Sequence, residues 1–234
     1  MYLSQLALNV RSRLVQRDLA DCQDMHRTIM GAFPPTQREA RAQFGVLHRV
    51  DADATAGPIL LVQSRERPDW TPLPQGYLAA PPRIKDIREA LGAFKADQLL
   101  AFRLRANPTR KIDTKSTGDT HRNGRRVELR TDEQRMEWLR RKSEAAGFEV
   151  VSVRVRDGES HGHRATDAGK GSLLTFASVV FDGMLRVRDV EQLRRALSDG
   201  IGSAKAYGHG LLSLASVPGG PHVVAGSAHP AEVP

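Results

Sequence analysis

The sequence has a single cysteine, Cys22, in 234 residues, and that scarcity closes several chemistries at once. A disulfide within the chain needs a second thiol and a thiolate metal cluster needs several, so neither is available. Aromatic residues make up only 5% of the chain. No run of Phe and Tyr suited to stacking single-stranded bases occurs, which weighs against a simple RRM-like single-strand binder. No apolar stretch approaches the ~20 residues that span a bilayer, and the start Met1-Tyr2-Leu3-Ser4-Gln5 has neither a basic n-region nor an apolar h-region. A soluble cytoplasmic protein with no membrane partner is expected. Acidic residues are in deficit, 27 Asp and Glu against 35 Lys and Arg, and the net charge of +8 makes a polyanion the natural ligand.

Glycine, by contrast, is concentrated near the C-terminus, in Gly200-Ile201-Gly202-Ser203-Ala204-Lys205-Ala206-Tyr207-Gly208-His209-Gly210. Such a loop can approach a ligand closely, and its successive N–H groups can form an anion-binding nest that Lys205 reinforces. Gly200, Gly202, Ser203, Lys205, Gly208 and Gly210 are therefore candidate phosphate contacts. Neither common nucleotide fingerprint fits. A Walker loop needs Gly and Lys adjacent before Ser or Thr, but Lys205 follows Ala204, and Gly169-Lys170 is followed by Gly171. A dinucleotide loop needs a third glycine where Lys205 stands and the order strand, loop, helix, whereas the order here is helix, loop, strand. No small-molecule cofactor is expected. The competing account of the glycines is a helix C-cap at Gly200 followed by an ordinary connecting loop.

Periodicity divides the chain into two similar halves. In the first, Leu3–Asn9 alternates as a strand, and Gln16–Ile29 places Leu19, Cys22, Met25 and Ile29 at helical spacing with His26 one step round from that stripe. Phe44–Val50 and Ile59–Gln63 read as strands, Ile84–Phe94 as a short helix, and Leu100, Phe102 and Leu104 alternate with Arg103 and Arg105 as a final strand with one apolar and one basic face. In the second, Val127 and Leu129 mark a strand and Thr131-Asp132-Glu133-Gln134 a capping box before a helix. Val151, Val153 and Val155 alternate with Arg154 and Arg156, and a strand from Leu173 to Phe181 completes a long basic hairpin. Asp182-Gly183 reads as a turn, Asp189 as the cap of a helix carrying Val190, Leu193 and Leu197, and Leu211–Leu214 as the last strand. The expected fold is an α/β (α+β) sandwich of two tandem ferredoxin-like, RRM-like domains. Residues 1–106 form the first, 107–123 a basic linker, 124–216 the second, and 217–234 a disordered tail.

Basic residues cluster around the junction. Between positions 101 and 130 nine Lys and Arg face three acids, a density that favours phosphate contact over a merely solvated face. Arg103, Arg105, Arg125 and Arg126 belong to this cluster, and Arg154, Arg156 and Lys170 lie on or beside the basic hairpin. His161 and His163 stand in a polar loop with no third ligand near them in sequence, so solvated histidines account for them and no metal site is expected. Trp70 and Trp138 are expected in the core.

Three segments together carry a specific resemblance: Asp24-Met25-His26-Arg27-Thr28, Phe102-Arg103-Leu104-Arg105-Ala106-Asn107-Pro108, and the glycine loop through Leu211-Leu212-Ser213. Over about residues 1–215, in order, the chain resembles the CasE family, the CRISPR-associated endoribonuclease of the subtype I-E Cascade system within the RAMP superfamily. The resemblance implies two ferredoxin-like domains, cleavage of precursor CRISPR RNA beside the repeat stem-loop, retention on the product hairpin, and other Cascade subunits as partners. It implies chemistry without an essential metal, in which the ribose 2′-OH attacks the adjacent phosphate to leave a 2′,3′-cyclic phosphate and a 5′-OH. His26 is the implied catalytic residue, its imidazole able to accept or donate a proton near neutral pH; without the resemblance it is an ordinary helix histidine. Arg27 beside it is an implied RNA contact. Where several relatives carry a tyrosine three residues before the histidine, this chain has Gln23, which hydrogen-bonds but cannot titrate. Gln23 and Tyr207 are the candidate auxiliaries, and the alternative function is a catalytically silent hairpin-binding subunit.

Overall fold

A computed structural model describes residues 1–35, 40–53, 57–112, 125–158, 162–165 and 172–217. Strand β1 (Tyr2–Ala7) alternates and buries Ser4 and Leu6. The helical stretch that follows is two helices, α1 (Arg13–Ala20) and α2 (Cys22–Met30), because Asp21 breaks it. Its backbone is extended and its carboxylate accepts the Gln23 N–H at 2.8 Å, the cap role that a short acidic side chain fills better than a helix interior. Helix α3 (Ala40–Phe44) leads into strands β2 (Leu47–Asp53) and β3 (Gly57–Ser64). Residues 65–82 contain Pro68, Pro72, Pro74, Pro81 and Pro82, whose missing N–H groups bar a helix; the segment instead carries Trp70 and Tyr77 into the core. Ile84 lies not in a helix but in the short strand β4 (Arg83–Asp86), paired to β1, and helix α4 (Arg88–Gly92) begins after it.

Strand β5 (Leu99–Ala106) is followed by the hairpin β6 (Thr109–Ile112) and β7 (Arg125–Glu128), so the expected linker starts as paired strand. Residues 113–124 and 218–234, which hold the rest of that linker and nearly all of the expected tail, lie outside the described residues. Helix α5 (Asp132–Ala145) opens on the expected Thr131 cap, whose Oγ1 accepts the Gln134 N–H, while the return bond of the capping box is shifted by one residue, Gln134 Oε1 accepting the Arg130 N–H at 3.2 Å. Strand β8 (Phe148–Asp157), the small hairpin β9 (Gly162–Ala165) and β10 (Ser172–Thr175), strand β11 (Val179–Val187), helix α6 (Val190–Asp199) and strand β12 (Leu212–Ser216) complete the order. The expected strand Leu173–Phe181 is thus divided between β10 and β11. Asp182-Gly183 makes no turn: β11 runs straight through it, because Gly183 lets β8 approach so closely that a Cβ would sit 2.0 Å from the Ser152 carbonyl oxygen.

Two antiparallel four-stranded sheets result, ordered β2-β3-β1-β4 and β12-β5-β11-β8, each with the ferredoxin-like arrangement in which the unit's first strand lies between its third and fourth. Strand β5, expected to close the first domain, lies inside the second sheet between β11 and β12, so a boundary after Ala106 would cut through hydrogen-bonded strands. Alternation alone could not say which sheet took it; Phe102 and Leu104 settle the matter by packing with Phe148, Phe181 and Leu185 under α5 and α6. A separate core gathers Leu6, Met25, Ile29, Phe33, Phe44, Trp70 and Tyr77 around the first sheet. Phe102, Trp70 and Trp138 are all buried. Among the described residues no helix is long and apolar enough to cross a membrane.

Candidate nucleic-acid interface

Helix α2 carries Gln23 and His26 one turn apart, and a buried carboxylate fixes its position. Asp18 of α1 accepts hydrogen bonds from Thr28 Oγ1 at 2.6 Å and from the Tyr77 hydroxyl at 2.7 Å, tying α2 to α1 and to the proline-rich segment. His26 is half-buried, and its Nδ1 has no hydrogen-bond partner among the described residues. Burial, and then the Arg41 cation, depress its pKa below the ordinary 6.5, so the resting ring is neutral. Arg27 points out to solvent and pairs with Asp24.

Across from α2 lies a 3-10 turn, Lys205–Tyr207, which packs against both α2 and β2. Helix capping explains much of the glycine loop. Gly200 is the C-cap of α6 at φ +77°, and a Cβ there would lie 2.7 Å from Leu47. The N–H groups of Gly200, Ile201, Tyr207 and Gly210 are bonded to Ala196, Gly210, Ala204 and Arg105 carbonyls respectively. Gly202 lies over Trp138, and Ser203 Oγ is turned toward the Asn107 carbonyl at 3.4 Å. Lys205 donates to the Asp199 carbonyl at 2.7 Å, placing its charge on the end of α6, and burial followed by Arg41 lowers its pKa. The loop is thereby a braced structure whose turn faces α2, with several of its expected phosphate donors already committed.

Tyr207 stacks on Phe176, ring centroids 4.8 Å apart, and with Asp18, Cys22, Met25, His48, Arg105 and Gly208 lines a cavity of about 30 Å³. The Cys22 thiol is pushed up to about 11 by burial, with Asp21 adding to the effect, and is no nucleophile at neutral pH. His48 lies beneath Gly208, where a Cβ would be 3.5 Å from its Nε2. Burial, assisted by His26 and His209, pushes the His48 pKa down to about 3. Sequence reasoning passed over His48, although Val46, just before β2, and Val50 within it stand at the alternate positions on either side of it and signal an inward direction.

The basic residues separate into two sets. Arg105 is turned inward: it is 6% exposed and donates Nε–H to Ser178 Oγ at 2.7 Å, because β5 turns that position under the glycine loop. Arg103, Arg154 and Arg156 lie on the open face of the second sheet, opposite its helices, where the alternation with valine and leucine had put them. Arg126 is exposed on the β6–β7 hairpin; the side chain of Arg125, and the whole of Lys170 and His161, lie outside the described residues. Among the described residues no group of His, Cys, Asp and Glu gathers to hold a metal ion.

A carboxylate missed from the sequence sits amid the open face. Asp182 of β11 is directly opposite Arg103 of β5 on one side and Arg154 of β8 on the other. It accepts from Arg103 Nε at 2.5 Å and from the Arg156 guanidinium. Burial opposes its ionisation, but these two guanidinium hydrogen bonds outweigh that and hold its pKa below the ordinary value. Arg103 also reaches Asp51 at 3.8 Å, and Asp51 pairs with the buried Arg49 of β2 at 2.7 Å. An alternating row of charges therefore runs from the first sheet to the basic hairpin.

A family model described as CRISPR associated protein matches residues 1–216. The chain is 36% identical to CRISPR-associated endoribonuclease Cse3 of Thermus thermophilus over 92% of its length and 100% of that protein's. It is 31% identical to the CRISPR system Cascade subunit CasE of Escherichia coli, covering 92% of this chain and 99% of that one. Among solved structures, CRISPR endoribonuclease Cse3 bound to a 19-nucleotide RNA superposes with a TM-score of 0.75 at 34% identity, over 91% of this chain and 98% of the other.

Proposed function

Since the chain belongs to the CRISPR-associated protein family matched over residues 1–216, we propose that it is an endoribonuclease that cuts precursor CRISPR RNA beside the repeat stem-loop and stays on the hairpin as a Cascade subunit. It acts in the cytoplasm, on RNA and beside other Cascade subunits. The observation that carries this reading is the placement of His26: a neutral, half-buried imidazole on a helix braced by Asp18, facing the Lys205–Tyr207 turn.

In the reaction the 2′-oxygen forms a bond to phosphorus as the bond from phosphorus to the 5′-oxygen breaks, leaving a 2′,3′-cyclic phosphate and a 5′-OH. The 2′-OH loses a proton and the departing oxygen gains one, so no water is consumed. His26, neutral at rest, is suited to taking the 2′-OH proton. Gln23, a turn before it, orients the RNA by hydrogen bonding without titrating. Tyr207, stacked on Phe176, holds the facing turn, and Lys205 supplies positive charge there. Arg27, Arg103, Arg126, Arg154 and Arg156 contact phosphates of the RNA, where A-form shape rather than base sequence dominates recognition.

The test is cleavage of end-labelled repeat RNA in EDTA by the wild type and by His26→Ala. The expected result is a cut beside the stem with a cyclic phosphate end, slowed about a hundredfold or more by His26→Ala while the hairpin stays bound. Tight binding by the wild type with the RNA left whole overturns the proposal. That outcome leaves a silent hairpin-binding subunit, the reading favoured by Gln23 in place of a phenol.

A further inference from the structure

The open face of the second sheet combines two features that work against each other. Its arginines suit a polyanion, yet Asp182 stands among them, directly across from Arg103 and Arg154 and bonded to Arg103 and Arg156. The carboxylate is 24% exposed, so an arriving phosphate meets it rather than passing over a buried group. Arg103 is doubly engaged, with Asp51 at 3.8 Å on its other side. Arg154, on the same strand as Arg156 and two residues away, has no partner among the described residues. A phosphate that binds Arg154 gains an ion pair outright; one that binds Arg103 or Arg156 must first displace a carboxylate.

We propose that Asp182 is a specificity-determining residue, an internal counter-ion that occupies Arg103 and Arg156 until an RNA held at other points of the surface replaces it. The inference rests on the RNA-binding reading above. A nonspecific polyanion contacts the face at isolated phosphates and gains little from exchanging one anion for another. A stem-loop anchored also by Arg126 of the β6–β7 hairpin and by α2 presents several phosphates at once, and the exchange is offset by contacts made elsewhere. Selectivity of this kind comes from an element that penalises the wrong ligand rather than from one that attracts the right one.

The experiment measures dissociation constants for a repeat-derived RNA hairpin and for a DNA duplex of unrelated sequence, across a series of salt concentrations. The proteins are the wild type, the isosteric Asp182→Asn, and Asp182→Glu. Freed of the carboxylate, Asp182→Asn is expected to bind the duplex about three- to tenfold tighter at low salt. Its plot of log K against log salt should steepen by about one ion released, and its preference for the hairpin should narrow. Asp182→Glu restores the charge and the preference. In the unaltered background, Arg156→Gln should cost less duplex affinity than Arg154→Gln, a comparison that holds even if Asp182→Asn folds poorly. An unchanged salt slope and preference in Asp182→Asn, or a loss from Arg156→Gln equal to that from Arg154→Gln, overturns the inference. A wild type with no preference for the hairpin instead overturns the proposed function, while the duplex slopes still decide the part played by Asp182.

Discussion

Burial beneath Gly208 favours the neutral form of the His48 ring. Burial, with smaller contributions from His26, His209 and Arg105, lowers its pKa from 6.5 to about 3. A folded-state pKa below the unfolded one means that this residue's contribution to stability is fully present above pH 6.5 and is lost as the pH falls toward the folded value. In that interval the unfolded chain takes up a proton that the folded protein refuses. Between pH 6.5 and pH 5 the loss from this one group is about 2 kcal/mol. Urea midpoints measured across that range should fall accordingly, and His48→Gln, which cannot titrate, should flatten the slope. An equally steep slope in the variant would place the acid sensitivity elsewhere. The inward direction of His48 could be read from Val46 and Val50, but not its contact with Gly208, because nothing local links strand β2 to a loop so distant in the chain.

Elements whose signals are local were legible, and those whose signals are cross-strand were not. Thr131 and Gln134 announced the start of α5 because a capping box is closed by residues within one turn. Asp21 ended α1 and capped α2 within a pattern that otherwise reads as one helix, since an apolar stripe continues across a one-residue break. Alternation separates the basic and apolar faces of β5 but does not say which sheet takes the strand, because pairing with β11 and β12 depends on residues far along the chain. Asp182-Gly183 carries the strongest short turn signal there is, and only Ser152 on the neighbouring strand reveals why glycine is needed. Gly183→Ala should therefore be among the most damaging small substitutions in the protein. Its methyl would meet a backbone oxygen that cannot rotate away, at a cost of about 3 kcal/mol. Thermal denaturation would show this directly, and a melting point within a degree or two of wild type would mean that β8 can shift to admit it.

The two units are joined by polar contacts rather than by a shared apolar core. Arg49, 2% exposed, donates to both carboxylate oxygens of Asp51 and to the Leu211 and Arg103 carbonyls, so one guanidinium of the first sheet holds strand β5 and the residue that leads into β12. Gln63 to the Leu197 carbonyl at 2.6 Å and Arg65 to Asp199 at 2.9 Å add to the seam. Arg49→Met removes the charge and leaves Asp51 and two carbonyls short of a donor, a change worth about 3 kcal/mol or more. Because the cores on either side are separate, the expected signature is a urea transition that broadens or splits in two, followed by the fluorescence of Trp70 in one core and Trp138 in the other. A single transition merely displaced would show that the units unfold together without Arg49. The position of β5 also bears on synthesis. The first unit can close as soon as Asp86 has left the ribosome, but β5 must wait, one edge bare, until Leu212–Ser216 is made to lie along it. A message cut short just before that strand would therefore deliver a finished half joined to an open sheet, a target for proteolysis or aggregation rather than a weaker version of the whole.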